Sequence, residues 1–150
     1  MKILECTDRT PALLAQLLDV WERSVRATHT FLSEPEILRI RQYVPEALGG
    51  VAHLFAALDE DGRPLGFMGV QDGSLEMLFL APQARGRGLG RQLLQYGIDR
   101  CGVERLAVNE QNPAARGFYE HMGFAVYRRI DTDEQGGPYP LLYMRRREDK

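Results

Sequence analysis

The spacing of apolar side chains in the first third of the chain predicts one short strand and two helices. Residues 3–6 are typical of a strand, and a helix is predicted over 10–27 because five apolar side chains recur there at helical spacing: Leu13, Leu14, Leu17, Leu18 and Trp21. Thr10 followed by Pro11 is a typical helix start. A second helix is predicted after Ser33, with its end at Pro45 or at Gly49-Gly50.

The remainder of the chain changes to short apolar stretches separated by turn signals. Asp61-Gly62 and Asp72-Gly73 divide the first three stretches into antiparallel strands. Those strands cover residues 52–58, 65–71 and 74–80, further strands are predicted at 105–109, 124–128 and 141–145, and helices are predicted at 88–100 and 113–122. The order β-α-α-β-β-β-α-β-α-β-β indicates an α/β layer fold with a mixed sheet. Because the helix from Gly88 is a crossover, the strands on either side of it are expected to be parallel neighbours.

Composition and charge narrow the class of protein. A chain of 150 residues with 44% hydrophobic and 27% charged residues is expected to form one compact domain over residues 1–150. Glu5 interrupts the N-terminus before a signal-peptide apolar region could form, and no stretch is long enough to cross a bilayer. Cys6 and Cys101 have neither metal nor redox spacing. We therefore expect a cytoplasmic protein with reduced cysteines, no metal and no membrane partner.

A glycine-rich turn between a predicted strand and a predicted helix carries the strongest chemical signal. Gly86, Gly88 and Gly90 occupy alternate positions, where the backbone can approach a ligand closely. Their N–H groups and the positive end of the following helix would form an anion cradle, and three arginines add positive charge: Arg85, Arg87 and Arg91. The Gly-Lys-Ser/Thr ending of a P-loop and the pattern of a dinucleotide fingerprint are both missing. A tight turn with a solvated arginine cluster is the alternative interpretation.

Two sequence blocks resemble the GNAT superfamily of N-acetyltransferases. The first, Arg85-x-x-Gly88-x-Gly90, is similar to that family's acyl-CoA pyrophosphate signature, and the second extends from Asn112-Pro113 through Phe118-Tyr119 to Gly123-Phe124. The segments around Trp21 and Gly137-Pro138 are more narrowly similar to small bacterial members whose acceptors are poorly defined. The resemblance implies an α/β GNAT fold: a mixed, mostly antiparallel sheet of six or seven strands, about four helices, and central parallel strands that splay apart.

The resemblance also implies a reaction and a set of cofactor-binding residues. An amine attacks the thioester of acetyl-CoA directly, and the acetyl group is transferred to a primary amine. Acetyl-CoA is the co-substrate, and its pantetheine arm lies in the gap between the splayed strands. The implied contacts are Phe79, Leu80, Arg85, Gly86, Arg87, Gly88, Leu89, Gly90, Arg91 and Asn112.

Chemistry adds demands at both ends of this reaction. Neutralising a lysine-type amine at pH 7 costs roughly 4.6 kcal/mol, whereas an α-amino group costs about 1 kcal/mol. The leaving thiolate needs a proton, and Tyr119 occupies the position where the family often places a phenol that supplies it. A core aromatic residue at helical spacing is the alternative for Tyr119.

Three further residues are candidates for proton transfer or acetyl orientation. Glu76 is the preferred base, because an ionised carboxylate on a central strand is costly unless paired or useful; pairing with an arginine is the alternative. Asn109 would orient the acetyl group or a water, or else build a helix-entry turn. His29 would bind the acceptor or relay a proton, or else be structural. Phe31 and Tyr139 are predicted, together with His29, to form the acceptor pocket.

The sequence leaves the acceptor and the assembly open. The acceptor is a small-molecule or a peptide amine, and the chain is a monomer or a homodimer. A non-catalytic acyl-CoA-binding sensor is the alternative function, because it would keep the cradle without the chemistry. The net charge of −2 and the lack of interleaved aromatic residues around Arg85 and Arg87 argue against a nucleic-acid partner.

Overall fold

The part of the chain that the structure describes forms seven strands and five α-helices. The computed structural model describes residues 1–147, and positions 148–150 of the predicted domain lie outside them. The strands are Lys2–Glu5 (β1), His53–Leu58 (β2), Pro64–Gln71 (β3), Ser74–Leu80 (β4), Arg105–Asn109 (β5), Phe124–Ile130 (β6) and Leu141–Arg146 (β7). The helices within the described residues are Pro11–Thr28 (α1), Glu34–Arg41 (α2), Val44–Gly50 (α3), Leu89–Cys101 (α4) and Pro113–His121 (α5).

The strands form one mixed sheet in the order β1-β2-β3-β4-β5-β7-β6. The β4–β5 pair is parallel, as the crossover through α4 predicts, and the other neighbouring pairs are antiparallel. Two residue pairs alone join β4 to β5: Ser74 with Arg105 and Leu75 with Leu106. Beyond them the two strands separate, so the predicted splay is confirmed.

The single second helix predicted after Ser33 is wrong, because two helices replace it. Ser33 forms a capping box with Glu36 at the start of α2, which ends at Arg41. Pro45 lies in the first turn of α3. Within a continuous helix its ring would clash with the carbonyl of Arg41, and no N–H would be present to bond that carbonyl. The chain therefore restarts the helix at Val44.

Each face of the sheet packs against its own helices. Helices α1 to α3 cover β1 to β4 with a cluster that includes Leu17, Leu48 and Phe67, and α4 and α5 cover the opposite face with a cluster that includes Met68 and Leu93. Phe67 and Met68 are successive residues of β3, yet both are fully buried. Their opposite orientation follows from strand geometry and places β3 at the centre of both clusters.

Arg9 connects the start of α1 to the end of α3 through its guanidinium group. That group faces five backbone carbonyl oxygens at 2.6–3.2 Å: those of Cys6, Leu48, Gly49, Val51 and Ala52. The last carbonyls of a helix have no intrahelical partner, so a cation there satisfies several acceptors at once. Arg9 thereby positions the helical layer that carries α1 against the sheet.

We expect Arg9→Met to lower the free energy of unfolding by about 2 kcal/mol, the range for hydrogen bonds that involve a charged group. Methionine keeps the aliphatic stem and removes the donors. Urea unfolding would measure the change, with Arg63→Met as the control because Arg63 is exposed in the β2–β3 turn. Equal stability of the two variants would contradict the role of Arg9.

Candidate active site

The separation of β4 from β5 opens a gap in the middle of the sheet. β3 still pairs with β4 as far as Leu80, but beyond Leu75 no residue of β5 pairs with β4. Gly69 pairs with Met77 and Val70 pairs with Leu75, so Glu76 is an extra residue in a β-bulge. The backbone of β4 from Met77 to Leu80 therefore has one side free of strand partners.

The glycine-rich turn closes one end of this gap. Gly86 and Gly88 have φ angles of 76° and 77°, in the left-handed region that favours glycine. Gly88 is the N-cap of α4, and the first intrahelical bond there is from Gln92 N–H to the Gly88 carbonyl. The N–H groups of the first turn are consequently without intrahelical partners, which suits an anion.

The turn lines a cleft of about 440 Å³ between β4, α4, α5 and the end of α1, which we call the glycine-turn cleft. Of the ten predicted cofactor contacts, nine line it: Phe79, Leu80, Arg85, Gly86, Gly88, Leu89, Gly90, Arg91 and Asn112. Arg87 is the exception, and it is exposed on the turn. The side chain of Asn112 is already engaged as the N-cap of α5, where Oδ1 accepts a hydrogen bond from Ala115 N–H at 3.2 Å.

Tyr119 is buried on the α5 side of the glycine-turn cleft. Its ring lies between Phe118 and Phe124, with centroid distances of 5.2 and 6.3 Å. The Tyr119 hydroxyl has no hydrogen-bond partner among the described residues. Every fully buried polar side-chain atom in that part of the chain does have a partner. The hydroxyl is therefore not fully buried and is open to the cleft. Burial raises the pKa of the Tyr119 phenol, which keeps it protonated at neutral pH.

A second cleft, of about 330 Å³, lies on the α1 side, and we call it the aromatic cleft. Its aromatic lining consists of Trp21, His29, Phe31, Tyr43, Phe79 and Tyr139. Asn109, Asp133 and Glu134 supply polar groups. The predicted acceptor residues His29, Phe31 and Tyr139 thus lie together: the Phe31 ring is 5.4 Å from that of His29 and 5.7 Å from that of Tyr139.

His29 and Phe79 line both clefts, so they mark the junction between them. His29 caps the end of α1, where its N–H bonds the Val25 carbonyl at 2.8 Å. Its Nδ1 lies 2.8 Å from the Thr28 hydroxyl oxygen. Burial first, and then the positive charge of Arg85, lower the pKa of His29. The imidazole is therefore neutral at physiological pH.

The loop between β6 and β7 is folded around one carboxylate. Asp133 Oδ1 accepts hydrogen bonds from the backbone N–H groups of Gln135 and Gly137, at 2.9 and 2.7 Å. A Cβ on Gly137 would lie 2.6 Å from Asp133 Oδ2, so a side chain at this position would displace that carboxylate. This turn holds Tyr139 at the rim of the aromatic cleft, and the spacing of Asp133 and Gly137 is a signal that sequence analysis missed.

Sequence analysis also missed other residues that line the aromatic cleft, whereas the helix-entry turn that it predicted at Asn109 is present. Trp21 was not predicted, because an aromatic residue on a helix is typical of a core, and Tyr43, in the turn between α2 and α3, was not predicted either. Asn109 lines the aromatic cleft, and its carbonyl also accepts from Asn112 N–H at 3.0 Å in the helix-entry turn. The predicted helix-entry turn at Asn109 is therefore present, and orientation of the acetyl group or a water by Asn109 stays a prediction.

Glu76 does not have the environment that the sequence predicts. It is exposed rather than buried, because the bulge removes it from the alternation of β4 and no helix covers the neighbouring face of β5 and β7. It lines a separate cavity of about 310 Å³ with Arg105, Tyr127 and Tyr143. Glu76 therefore lines neither the glycine-turn cleft nor the aromatic cleft. Its cavity is adjacent to the aromatic cleft, because Glu134 and Leu141 line both.

Within residues 1–147, no cluster of three or more side chains is arranged as a metal site. In the same part of the chain, no helix combines the length and apolarity that a bilayer span requires.

Comparison with known proteins identifies the family. The profile of the acetyltransferase (GNAT) domain matches residues 25–137. Peptidyl-lysine N-acetyltransferase YjaB of Escherichia coli K12 is 41% identical over 132 residues, which cover 85% of this chain and 86% of that protein. The solution structure of apo YjaB from Escherichia coli has a TM-score of 0.85 at 36% identity over 97% of both chains. PaiA N-acetyltransferase from Thermoplasma acidophilum, solved with coenzyme A, shares the fold with a TM-score of 0.74 at 24% identity, over 99% of this chain and 100% of that one. The chain belongs to the GNAT family and is an acetyl-CoA-dependent N-acetyltransferase.

Proposed function

We propose that this acetyltransferase modifies the side-chain amine of lysine in a peptide or protein. The aromatic cleft carries this proposal, because its lining matches a long aliphatic chain that ends in a cation. Aromatic faces attract an ammonium group and also cover a methylene stem. Asp133 and Glu134 add negative charge at the same cleft. The YjaB relative is named for peptidyl-lysine acetylation, which supports this acceptor over a small-molecule amine.

Acetyl-CoA fits the glycine-turn cleft from its diphosphate to its thioester. The diphosphate is proposed to accept hydrogen bonds from the backbone around Gly88 and Gly90, with Arg85 and Arg91 adding charge. The pantetheine arm would bond the free side of β4 at Phe79 and Leu80, in place of the missing β5 strand. This path leads the thioester to the junction of the two clefts, where the acceptor amine arrives from the other side.

Tyr119 is proposed to protonate the thiolate that leaves. The amine nitrogen bonds to the thioester carbonyl carbon, the carbon–sulfur bond breaks, and the sulfur takes the phenolic proton. The tyrosine then regains a proton from the nitrogen that became the amide. The opening of the Tyr119 phenol to the cleft supports this role.

Binding of acetyl-CoA should raise protein stability by about 2.7 kcal/mol at 100 times its Kd, and Gly88→Asp should abolish this gain. The variant places a negative charge where the diphosphate is expected. Gly62→Asp is the matched control, because Gly62 has the same φ of 77° and equally open space at its Cβ. Thermal shift with and without acetyl-CoA measures both, and a retained shift in Gly88→Asp would contradict the placement of the diphosphate.

Tyr119→Phe should reduce kcat by roughly 100-fold, the low end for general acid catalysis. We expect the low end because a thiolate with pKa near 8.5 is already a fair leaving group. Since the hydroxyl makes no hydrogen bond to the described residues, melting temperature and acetyl-CoA affinity should be unchanged. Tyr96→Phe, which removes a hydroxyl on α4 outside both clefts, is the control. Full activity of Tyr119→Phe would contradict the acid role and would support the alternative that Tyr119 is a core aromatic residue.

Tyr139→Ala should raise the KM for a lysine peptide by up to about tenfold, the equivalent of 1.4 kcal/mol for one lost aromatic contact. The KM for acetyl-CoA should stay within about twofold of the wild-type value, because Tyr139 lines the aromatic cleft and not the glycine-turn cleft. Initial rates with each substrate varied in turn would separate the two constants. If wild-type enzyme acetylates small amines but no lysine peptide, the proposed acceptor is wrong.

A further inference from the structure

The hydrogen bonds around Thr28 fix which nitrogen of His29 carries the proton. The Thr28 hydroxyl has one hydrogen, and its oxygen lies 2.8 Å from the Ser24 carbonyl oxygen, which can only accept. The hydrogen is therefore directed at Ser24. The same hydroxyl oxygen lies 2.8 Å from Nδ1 of His29, so it must accept a hydrogen bond there. His29 is thus the tautomer with Nδ1–H and with an unprotonated Nε2.

The free nitrogen of His29 is open to the site. Nε2 has no hydrogen-bond partner among residues 1–147. Every fully buried polar side-chain atom in that part of the chain does have a partner, so Nε2 is not fully buried. Nε2 therefore contacts the clefts rather than the core. His29 lines both the glycine-turn cleft and the aromatic cleft, which is where the thioester and the acceptor amine of the proposed function must meet.

We propose that Nε2 of His29 is the base that takes a proton from the acceptor ammonium group. One N–H bond of the ammonium breaks, a new N–H bond forms at Nε2, and the neutral amine attacks the thioester carbonyl carbon. The proton on His29 then returns to solvent, while the second amine proton follows the route through Tyr119. This inference rests on the proposed function, which supplies the lysine amine, the meeting of the two substrates at the junction of the clefts and the route of the second proton through Tyr119.

The charges around His29 favour a base that is neutral at the start and releases its proton at the end. The ionisable side chains that line the two clefts with it are Tyr43, Arg85, Arg91, Tyr119, His121, Asp133, Glu134 and Tyr139. Arg85 opposes the imidazolium form, and burial does so more strongly, which lowers the pKa of His29. Deprotonating lysine by imidazole is unfavourable at equilibrium, because the amine is the stronger base. Attack on the thioester then consumes the neutral amine.

The pH dependence of kcat/KM for a lysine peptide tests the proposal. With a working base, the wild-type value should be flat between the pKa of His29, below its ordinary value near 6.5, and that of lysine, near 10.4. His29→Asn keeps a donor toward Thr28 and removes Nε2. Its value should be about 100-fold lower at pH 7 and should rise about tenfold per pH unit, since the free amine must then form unaided. His53→Asn, at an exposed site on β2, is the control.

Three outcomes would overturn the proposal. A loss that is the same at every pH would make His29 a positioning residue. If kcat/KM instead rises tenfold per pH unit in Glu76→Gln and not in His29→Asn, Glu76 on β4 is the base. Nitrogen-15 NMR of the wild-type protein tests the tautomer even if His29→Asn does not fold, and a proton on Nε2 would contradict it. If wild-type enzyme rejects lysine peptides, the lysine assignment fails, and the same profiles with an accepted amine still test the base.

Discussion

The active site depends on the early end of the pairing between β4 and β5. Two residue pairs join these strands, and beyond Leu75 the backbone of β4 has no strand partner on that side. Unpaired backbone groups in the middle of a sheet are costly unless something else bonds them. In the proposed complex, the amide groups of the pantetheine arm would supply those bonds, so one local break in the sheet would both create the binding site and fix the direction of the ligand. The bulge at Glu76 lies where the strands begin to part.

The unequal cover of the two sheet faces separates the two clefts, to which the proposed function assigns different substrates. Helices α4 and α5, with the end of α1, enclose the glycine-turn cleft. On the opposite face α1 to α3 pack on the first four strands, and the β6–β7 loop completes the aromatic cleft. The clefts share His29 and Phe79. In the proposed function, chemistry that needs both substrates would therefore be confined to this junction, and the groups beside it would decide how protons move.

Local signals predicted the fold and the turn, whereas residues whose environment depends on tertiary packing were misjudged. The crossover order was sufficient to predict that β4 and β5 are parallel neighbours, because it reflects a backbone constraint within a short segment. Their splay was predicted only through the resemblance to the GNAT superfamily. Alternation along a strand could not reveal that Glu76 is a bulge residue, so its burial was predicted wrongly. Trp21 and Tyr43 could not be assigned to the aromatic cleft, because helical periodicity does not distinguish a core face from a cleft wall. Pro45 was noticed, but its division of one helix into two was not.

The two clefts carry opposite charges, so the junction between them has a positive side and a negative side. Arg85 and Arg91 lie at the glycine-turn cleft, and Asp133 and Glu134 lie at the aromatic cleft. In the proposed function, the two arginines attract the diphosphate and the two carboxylates attract an ammonium group. An exchange of the two ligands would place like charges together and is disfavoured. Between these fields stands His29, which burial and Arg85 keep neutral. In the proposed mechanism, an uncharged base at that boundary would accept a proton from the ammonium side and lose it readily, because the neighbouring guanidinium would repel the imidazolium.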